Sequence, residues 1–361
     1  MKRALNFGAG PAALPLPVLQ EAAAELLDFA GSGMSILEIS HRSPEYDKVH
    51  NETQALLKEL LGVGDNYKVL FLGGGASTQF AMLPMNFLAQ GKVADYLVTG
   101  SWSKSALKEA KIIGQANVAA STEQDAKFTR IPRPEECKYT SGAAYVHLTS
   151  NNTIFGTQWQ QFPQVKAPLV ADMSSDFFWR PFDAKSFSMI YAGAQKNLGP
   201  AGVTVVLLRD DFLAQAKEGL PTMLSYKTHA DKNSLYNTPP CFAIYLVGLT
   251  LKWLKGKGGL AAMEKANREK GDLLYGTIDR HADFYRAPVE KDSRSYMNVV
   301  FRLPSEELEK RFVEEAKKEG MTGLKGHRSV GGIRVSTYNA VGIEWVRSIT
   351  QLMENFVKRN G

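Results

Sequence analysis

Residues 189–208 read Met189-Ile190-Tyr191-Ala192-Gly193-Ala194-Gln195-Lys196-Asn197-Leu198-Gly199-Pro200-Ala201-Gly202-Val203-Thr204-Val205-Val206-Leu207-Leu208. Two apolar runs, Met189 to Ala192 and Val203 to Leu208, flank a loop of small residues and turn formers that holds one lysine. Short apolar runs, partly β-branched and bounded by glycine and proline, read as buried strands. Similar runs precede them: Val69-Leu70-Phe71-Leu72, Tyr96-Leu97-Val98-Thr99, Ala144-Tyr145-Val146-His147-Leu148 and Leu169-Val170-Ala171. Helical stretches alternate with them. Strands that are apolar throughout must be covered on both faces, so the pattern predicts an α/β fold around a mainly parallel sheet.

Outward from this centre, residues 17–30 carry Leu19, Ala22, Leu26 and Phe29 at helical spacing, closed by Gly31-Ser32-Gly33. That spacing predicts a helix from Pro17 to Ala30. Ser43-Pro44 is a good cap and first turn for a second helix, which ends around Gly62-Val63-Gly64. A third helix follows Gly73-Gly74-Gly75 and runs to Leu88. Lys255-Gly256-Lys257-Gly258-Gly259 marks a break, after which a long charged helix leads to strand Tyr296–Leu303 and helix Ser305–Glu319. Strand Gly332–Ser336 and helix Glu344–Lys358 complete a smaller α+β unit. The expected division is a large domain over residues 16–258 and a small domain made of 1–15 plus 259–361.

At 361 residues, two domains are the ordinary expectation. A hydrophobic share of 44% and a charged share of 22% suit a globular chain with a large core. No apolar run approaches the roughly 18 residues of a membrane span, and the opening Met1-Lys2-Arg3-Ala4-Leu5-Asn6-Phe7-Gly8 reaches glycine before a signal core could form. Cys137 and Cys241 have no CxxC spacing and no disulfide framework. A cytosolic protein is expected. The six histidines show no metal-ligand spacing, so no metal is assigned. The net charge of +6 comes from lysines and arginines interleaved with acids rather than from a basic run, which argues against nucleic acid.

Three strand-end features carry chemistry. Gly73-Gly74-Gly75-Ala76-Ser77-Thr78-Gln79-Phe80 is a glycine turn entering a helix. Its bare amides and hydroxyls suit a phosphate, although a tight turn alone would read the same way. It lacks the Lys-Ser/Thr of a Walker A loop and is not GxGxxG. Asp172 follows Leu169-Val170-Ala171, where an acid either caps a helix or holds a proton on a pyridine nitrogen. Lys196 is either a solvated loop lysine or a nucleophile. With an acid one strand earlier and a phosphate cradle, it completes the three attachments that pyridoxal phosphate (PLP) needs.

The sequence resembles the phosphoserine aminotransferases of the class V group, within the fold type I PLP enzymes. The likeness runs from Asn6-Phe7-Gly8-Ala9-Gly10-Pro11-Ala12 through Ile39-Ser40-His41-Arg42-Ser43 to Gly331-Gly332-Ile333-Arg334-Val335-Ser336. Ala194-Gln195-Lys196-Asn197 and Tyr236-Asn237-Thr238-Pro239-Pro240 are its most diagnostic stretches. It implies a mainly parallel sheet of the seven-stranded type in the large domain.

By the same resemblance, Lys196 carries PLP as a Schiff base and Asp172 pairs with the ring nitrogen. Ala76, Ser77 and Gln195 lie at the cofactor phosphate, Trp102 stacks on the ring and Thr153 contacts its substituents. Asn237 and Thr238 reach the phosphate from the partner subunit of a homodimer with shared sites. Arg334 binds the substrate α-carboxylate, while His41, Arg42, His327 and Arg328 take the phosphate or distal carboxylate. The implied reaction converts O-phospho-L-serine and 2-oxoglutarate to 3-phosphohydroxypyruvate and L-glutamate in serine synthesis. 4-Phosphohydroxy-L-threonine, of pyridoxine synthesis, is a candidate second substrate. Some relatives carry arginine or cysteine after the triple glycine, where this chain has Ala76-Ser77-Thr78, which bears on the substrate side.

Two rivals make different demands. Another class V chemistry, such as cysteine desulfuration, needs an activated thiol, and neither cysteine has an evident activating neighbour. A non-catalytic phosphate binder would use the triple glycine alone and be colourless.

Overall fold

The computed structural model describes residues 3–361; Met1 and Lys2 of the opening segment lie outside the described residues. The chain opens with strand β1 (Leu5–Asn6) and helix α1 (Leu16–Ala24). That helix is shorter than the predicted Pro17–Ala30. Phe29 leaves the helical register to enter the core edge-on to Tyr245, with ring centroids 5.5 Å apart. The released backbone is satisfied locally, since Phe29 N–H donates to the Met34 carbonyl at 2.8 Å and Gly33 N–H to the Asp28 carboxylate at 2.8 Å. Helix α2 (Pro44–Leu61) starts and stops where expected. Ser43 accepts the Tyr46 N–H, Pro44 occupies the first turn, and Gly62 closes the helix with φ 63°, a left-handed conformation that favours glycine.

Strand β2 (Tyr67–Leu72), helix α3 (Gly75–Phe87), strand β3 (Val93–Val98), helix α4 (Ser101–Ile113) and strand β4 (Gln115–Ser121) follow. After a small hairpin, β5 (Glu123–Gln124) and β6 (Lys127–Phe128), come β7 (Val146–Thr149), β8 (Leu169–Asp172), β9 (Met189–Gly193) and β10 (Thr204–Arg209). Seven of these form one sheet in the order β2-β10-β9-β8-β7-β3-β4. β10 runs antiparallel to both neighbours, and the other pairings are parallel. The reversal has a simple cause: the loop from Ala194 to Val203 is shorter than the dozen or so residues that a parallel crossover requires. β4 was not foreseen. It lies at the sheet edge with Gln115, Val118 and Ser121 exposed, so it lacks the apolar signature of the central strands.

Residues alternate between the two faces of the sheet. Val69, Phe71, Ala171, Ile190, Val205 and Leu207 join one core, whereas Leu70, Leu72, Val170, Tyr191, Val206 and Leu208 join the other. Short helices α5 (Asp210–Leu213) and α6 (Tyr226–Asp231) lead to the apolar α7 (Cys241–Gly256), which packs on α2. Helix α8 (Gly259–Arg280), strand β11 (Asn298–Phe301), helix α9 (Glu306–Lys318), strands β12 (Met321–Thr322) and β13 (Ile333–Ser336), and helix α10 (Ile343–Asn360) end the chain. They enclose a third core, in which Phe7 packs with residues from Leu274 to Phe356. β1 pairs with β12, which brings the opening segment into this unit. Among the described residues, no helix is long and apolar enough to cross a membrane.

Candidate active site

A cavity of about 620 Å³ lies at the carboxyl ends of the parallel strands, where open α/β sheets place their ligands. Asp172 ends β8 and Gly193 ends β9, so their order brings the acid and the following Lys196 loop to the same rim. On another wall, Gly74 and Gly75 (φ 82° and 65°) turn β2 into α3, whose first amides face the cavity beside Ala76 and Ser77. A Cβ on Gly74 would fall 1.9 Å from Thr78 Oγ1, so only glycine fits that turn. The N-terminal segment supplies a further wall: Ala12 N–H donates to the Gln195 carbonyl at 2.9 Å, and a Cβ on Gly10 would meet Lys196 Cγ at 3.2 Å.

The acid and the lysine are tuned against each other. Asp172 is buried, and its Oδ1 accepts both the backbone N–H (3.0 Å) and the hydroxyl (2.6 Å) of Ser174, leaving Oδ2 for a ligand. Ser174 is itself held, accepting Gly193 N–H at 3.0 Å. Burial raises the Asp172 pKa, against the lowering effects of Ser174 and the Lys196 charge. Burial lowers the Lys196 pKa, Asp172 counters this, and Arg334 adds to it by repulsion. Both members of the pair therefore shift toward neutrality, because desolvation outweighs their attraction. Lys196 Nζ stands 5.9 Å from the Trp102 ring centroid, and the indole N–H is fixed by Thr153 Oγ1 at 3.1 Å. Arg334 Nη1 donates to the Thr153 carbonyl at 2.8 Å, which aims the guanidinium into the cavity.

Of the residues singled out from sequence, nine share this cavity: Ala76, Ser77, Trp102, Thr153, Asp172, Gln195, Lys196, His327 and Arg334. His41, Arg42, Arg328, Asn237 and Thr238 do not line it. Arg42, Arg328, Asn237 and Thr238 are exposed, and His41 is half-buried with Nε2 closed off from solvent and unbonded. Burial, followed by the charges of Arg334 and Arg328, lowers the pKa of His327.

Several supporting residues were not foreseen. Asn197 accepts Asn339 N–H at 2.9 Å, and Asn339 in turn bonds the Phe178 carbonyl (3.0 Å) and Asn267 (2.8 Å). Lys270, buried on α8, donates to the carbonyls of Thr337, Tyr338 and Val341 at 2.9–3.1 Å. Together they fasten the loop after Arg334 to the loop bearing Lys196. Asp176, which accepts Ser150 and Gln158, is pushed up to about 6 by burial and adds negative charge near Lys196. Ser174 alone had a sequence signal, a hydroxyl two residues beyond a strand-end acid.

The donor set suits one kind of group: a phosphorylated aromatic aldehyde whose ring nitrogen keeps a proton. The α3 amides suit the phosphate, Asp172 Oδ2 the nitrogen, the Trp102 face the ring and Lys196 the aldehyde. Among the described residues, no group of histidines, cysteines and acids could hold a metal.

The family model for class-V aminotransferases matches residues 4–348. The chain belongs to the class-V aminotransferases. Among similar proteins, the phosphoserine aminotransferase of Geobacillus kaustophilus is 56% identical, with 99% of both chains covered. The solved phosphoserine aminotransferase of Bacillus circulans subsp. alkalophilus superposes with a TM-score of 0.98 at 55% identity, covering 100% of both chains. A PLP-bound phosphoserine aminotransferase from Trichomonas vaginalis gives 0.93 at 40% identity, covering 98% of this chain and 100% of that one. The α/β sheet of this class-V aminotransferase is thus the family's fold.

Proposed function

We propose that the chain is a PLP-dependent phosphoserine aminotransferase, exchanging an amino group between O-phospho-L-serine and 2-oxoglutarate in serine synthesis. The observation that carries this is the sharing of one cavity by Lys196, Asp172 and Arg334. Full-length similarity to phosphoserine aminotransferases supports the substrate. When bound, PLP supplies an aldehyde that captures amino groups and a protonated ring that delocalises the charge left on Cα.

The chain's own residues do the rest. Lys196, held toward its neutral form by burial, is the base that takes the α-proton and later returns it. Asp172, fixed through Ser174, keeps a proton at the ring nitrogen. Thr153 orients both Trp102, for stacking, and Arg334, whose planar fork receives the α-carboxylate. Ala76, Ser77 and Gln195 hold the cofactor phosphate.

The remaining cations complete the site across a homodimer. His327 reaches the cavity, and Arg328, His41 and Arg42 join it to bind the substrate phosphate or the distal carboxylate. Asn237 and Thr238 serve the cofactor phosphate of the partner subunit. In support, Asn237 and Thr238 are exposed in a single chain, as are the large apolar side chains Leu27, Met34, Leu37, Met223 and Tyr236. We further assign residues 16–258 to a large domain and 1–15 plus 259–361 to a small one, consistent with the separate third core. Both cysteines are free, as suits the cytosol. 4-Phosphohydroxy-L-threonine, which presents the same phosphate and α-amino acid groups, is proposed as a second substrate.

Cysteine desulfuration fits less well. Neither Cys137 nor Cys241 lines the cavity, and burial pushes both thiols up, away from the reactive thiolate.

The test is spectroscopic. The purified protein should be yellow, change its absorption on addition of phosphoserine, and recover it with 2-oxoglutarate. Borohydride should fix the cofactor on the Lys196 peptide. A colourless protein, or a spectrum indifferent to phosphoserine, would refute the assignment.

A further inference from the structure

A second cavity of about 270 Å³ adjoins the first and shares Ile154, His327 and Arg334 with it. It lies between the β5–β6 hairpin on one side and β11, β13 and the 326–331 loop on the other. Much of its wall is apolar: Phe128, Phe155, Phe301 and Ile333 are buried, and Val300 and Val330 are half-buried. Arg302, also at the wall, is neutralised by Glu309 at 2.5 Å and bonds the Val330 carbonyl at 2.7 Å. Asp125 and Lys127 stand at the exposed rim and offset each other. Two polar side chains face both cavities: Arg334, with one terminal nitrogen committed to Thr153, carries the fixed charge, while burial and the neighbouring arginines hold His327 toward its neutral form.

Phosphoserine and glutamate, whose side chains end in charge, have no use for such walls. A largely apolar chamber with an arginine in its wall suits a different occupant. We propose that this compartment binds small carboxylates carrying an aromatic ring, with the carboxylate on Arg334 and the ring among Phe128, Phe155, Val300 and Ile333. Its volume lies just below the roughly 300–1,000 Å³ of ordinary ligand pockets, which leaves room for one ring and excludes a nucleotide. Because Arg334 is shared, an arylalkanoate in this chamber and an amino acid in the catalytic cavity exclude one another. The compartment thus makes the enzyme inhibitable by aromatic acids that it does not transaminate. The proposal uses the role of Arg334 given above but does not need the transamination itself.

The experiment is a calorimetric titration of the full-length PLP-loaded protein with 3-phenylpropionate, with propionate as control. Burying the ring should make 3-phenylpropionate bind roughly 30–100-fold more tightly than propionate. Glutamate should displace it. Two variants fill the chamber from opposite walls, Thr129→Phe and Val330→Phe, at residues that line this cavity and not the catalytic one. Each should abolish binding of the aromatic probe while leaving the KM for glutamate and the melting temperature near the wild-type values, and two walls guard against one misfolded variant. Equal affinity for the two acids, binding that survives both variants, or binding indifferent to glutamate would overturn the proposal. An active, yellow enzyme that ignores the probe refutes this site alone, whereas a colourless protein that binds it refutes the function alone.

Discussion

The side-chain carbonyl of Asn197 accepts the backbone N–H of Asn339 at 2.9 Å, joining the neighbour of Lys196 to the loop that follows Arg334. The residues proposed to move the proton and to hold the carboxylate are thereby set in one frame. Asn197→Ala leaves the Asn339 N–H buried without an acceptor, at a cost of about 1–3 kcal/mol. Denaturant melts should show that loss. Steady-state rates should show kcat falling roughly tenfold or more with a smaller change in KM, since a misplaced base harms chemistry more than binding. Asn197→Asp retains an acceptor and should recover part of the rate. Unchanged kcat in Asn197→Ala would show that the frame does not position the lysine.

The electrostatics of Lys196 give a prediction with a definite sign. Asp172 favours its ammonium form and Arg334 disfavours it. In the cofactor-free protein, Asp172→Asn should lower the pH at which Lys196 becomes reactive toward an amine-modifying reagent, and Arg334→Ala should raise it. Peptide mass spectrometry of the modified lysine measures both. The native pKa lies below the unfolded value, so between the two the unfolded chain binds more protons at this lysine, and the contribution of Lys196 to the stability of the cofactor-free protein rises with pH. Shifts in the opposite directions would contradict the pairing.

Phosphoserine should exceed serine in kcat/KM by on the order of 10⁴-fold, because a site built for a phosphate leaves its donors unpaired when the analogue lacks one. Replacing Arg42 or Arg328 by alanine should narrow that gap, mainly by harming phosphoserine. Arg334→Ala should harm both donors, since each carries an α-carboxylate. Comparable efficiency on serine and phosphoserine in the wild-type enzyme would remove the substrate assignment.

Asn237 and Thr238 stand outside the cavity of their own chain. Mixing a Lys196→Ala chain with a chain carrying Asn237→Ala and Thr238→Ala should restore part of the activity, through one intact site per heterodimer. Purified heterodimers without any recovery would show that the two residues serve no neighbouring site.

Much of this was legible in the linear sequence. Central strands buried on both faces are apolar throughout, so β8, β9 and β10 stood out, and with them the acid and the lysine at their ends. Ser43, Pro44 and Gly62 marked the bounds of α2 through local backbone chemistry alone. β4 was hidden because an edge strand shares its outer residues with solvent. The end of α1 was hidden because a tertiary contact, Phe29 on Tyr245, overrides helical spacing. Asn339, Lys270 and Asp176 gave no signal, since each acts through partners distant in sequence.

The pairing of β1 with β12 has a bearing on synthesis. Leu5 and Asn6 leave the ribosome long before their partners, Met321 and Thr322, are made. Tyr338, later still, donates to the Ala9 carbonyl at 2.9 Å, and Ala9 and Gly10 wall the catalytic cavity beside Lys196. The seven-stranded sheet holds no residue beyond Arg209, so its strands are all available well before that wall has its anchors. Contacts this far apart in sequence also carry a large loop-closure cost, which must be met before they reward the fold. A nascent chain can therefore own a complete sheet and the Lys196 loop while this cavity still lacks a side, which gains its anchors only once Met321, Thr322 and Tyr338 have been made.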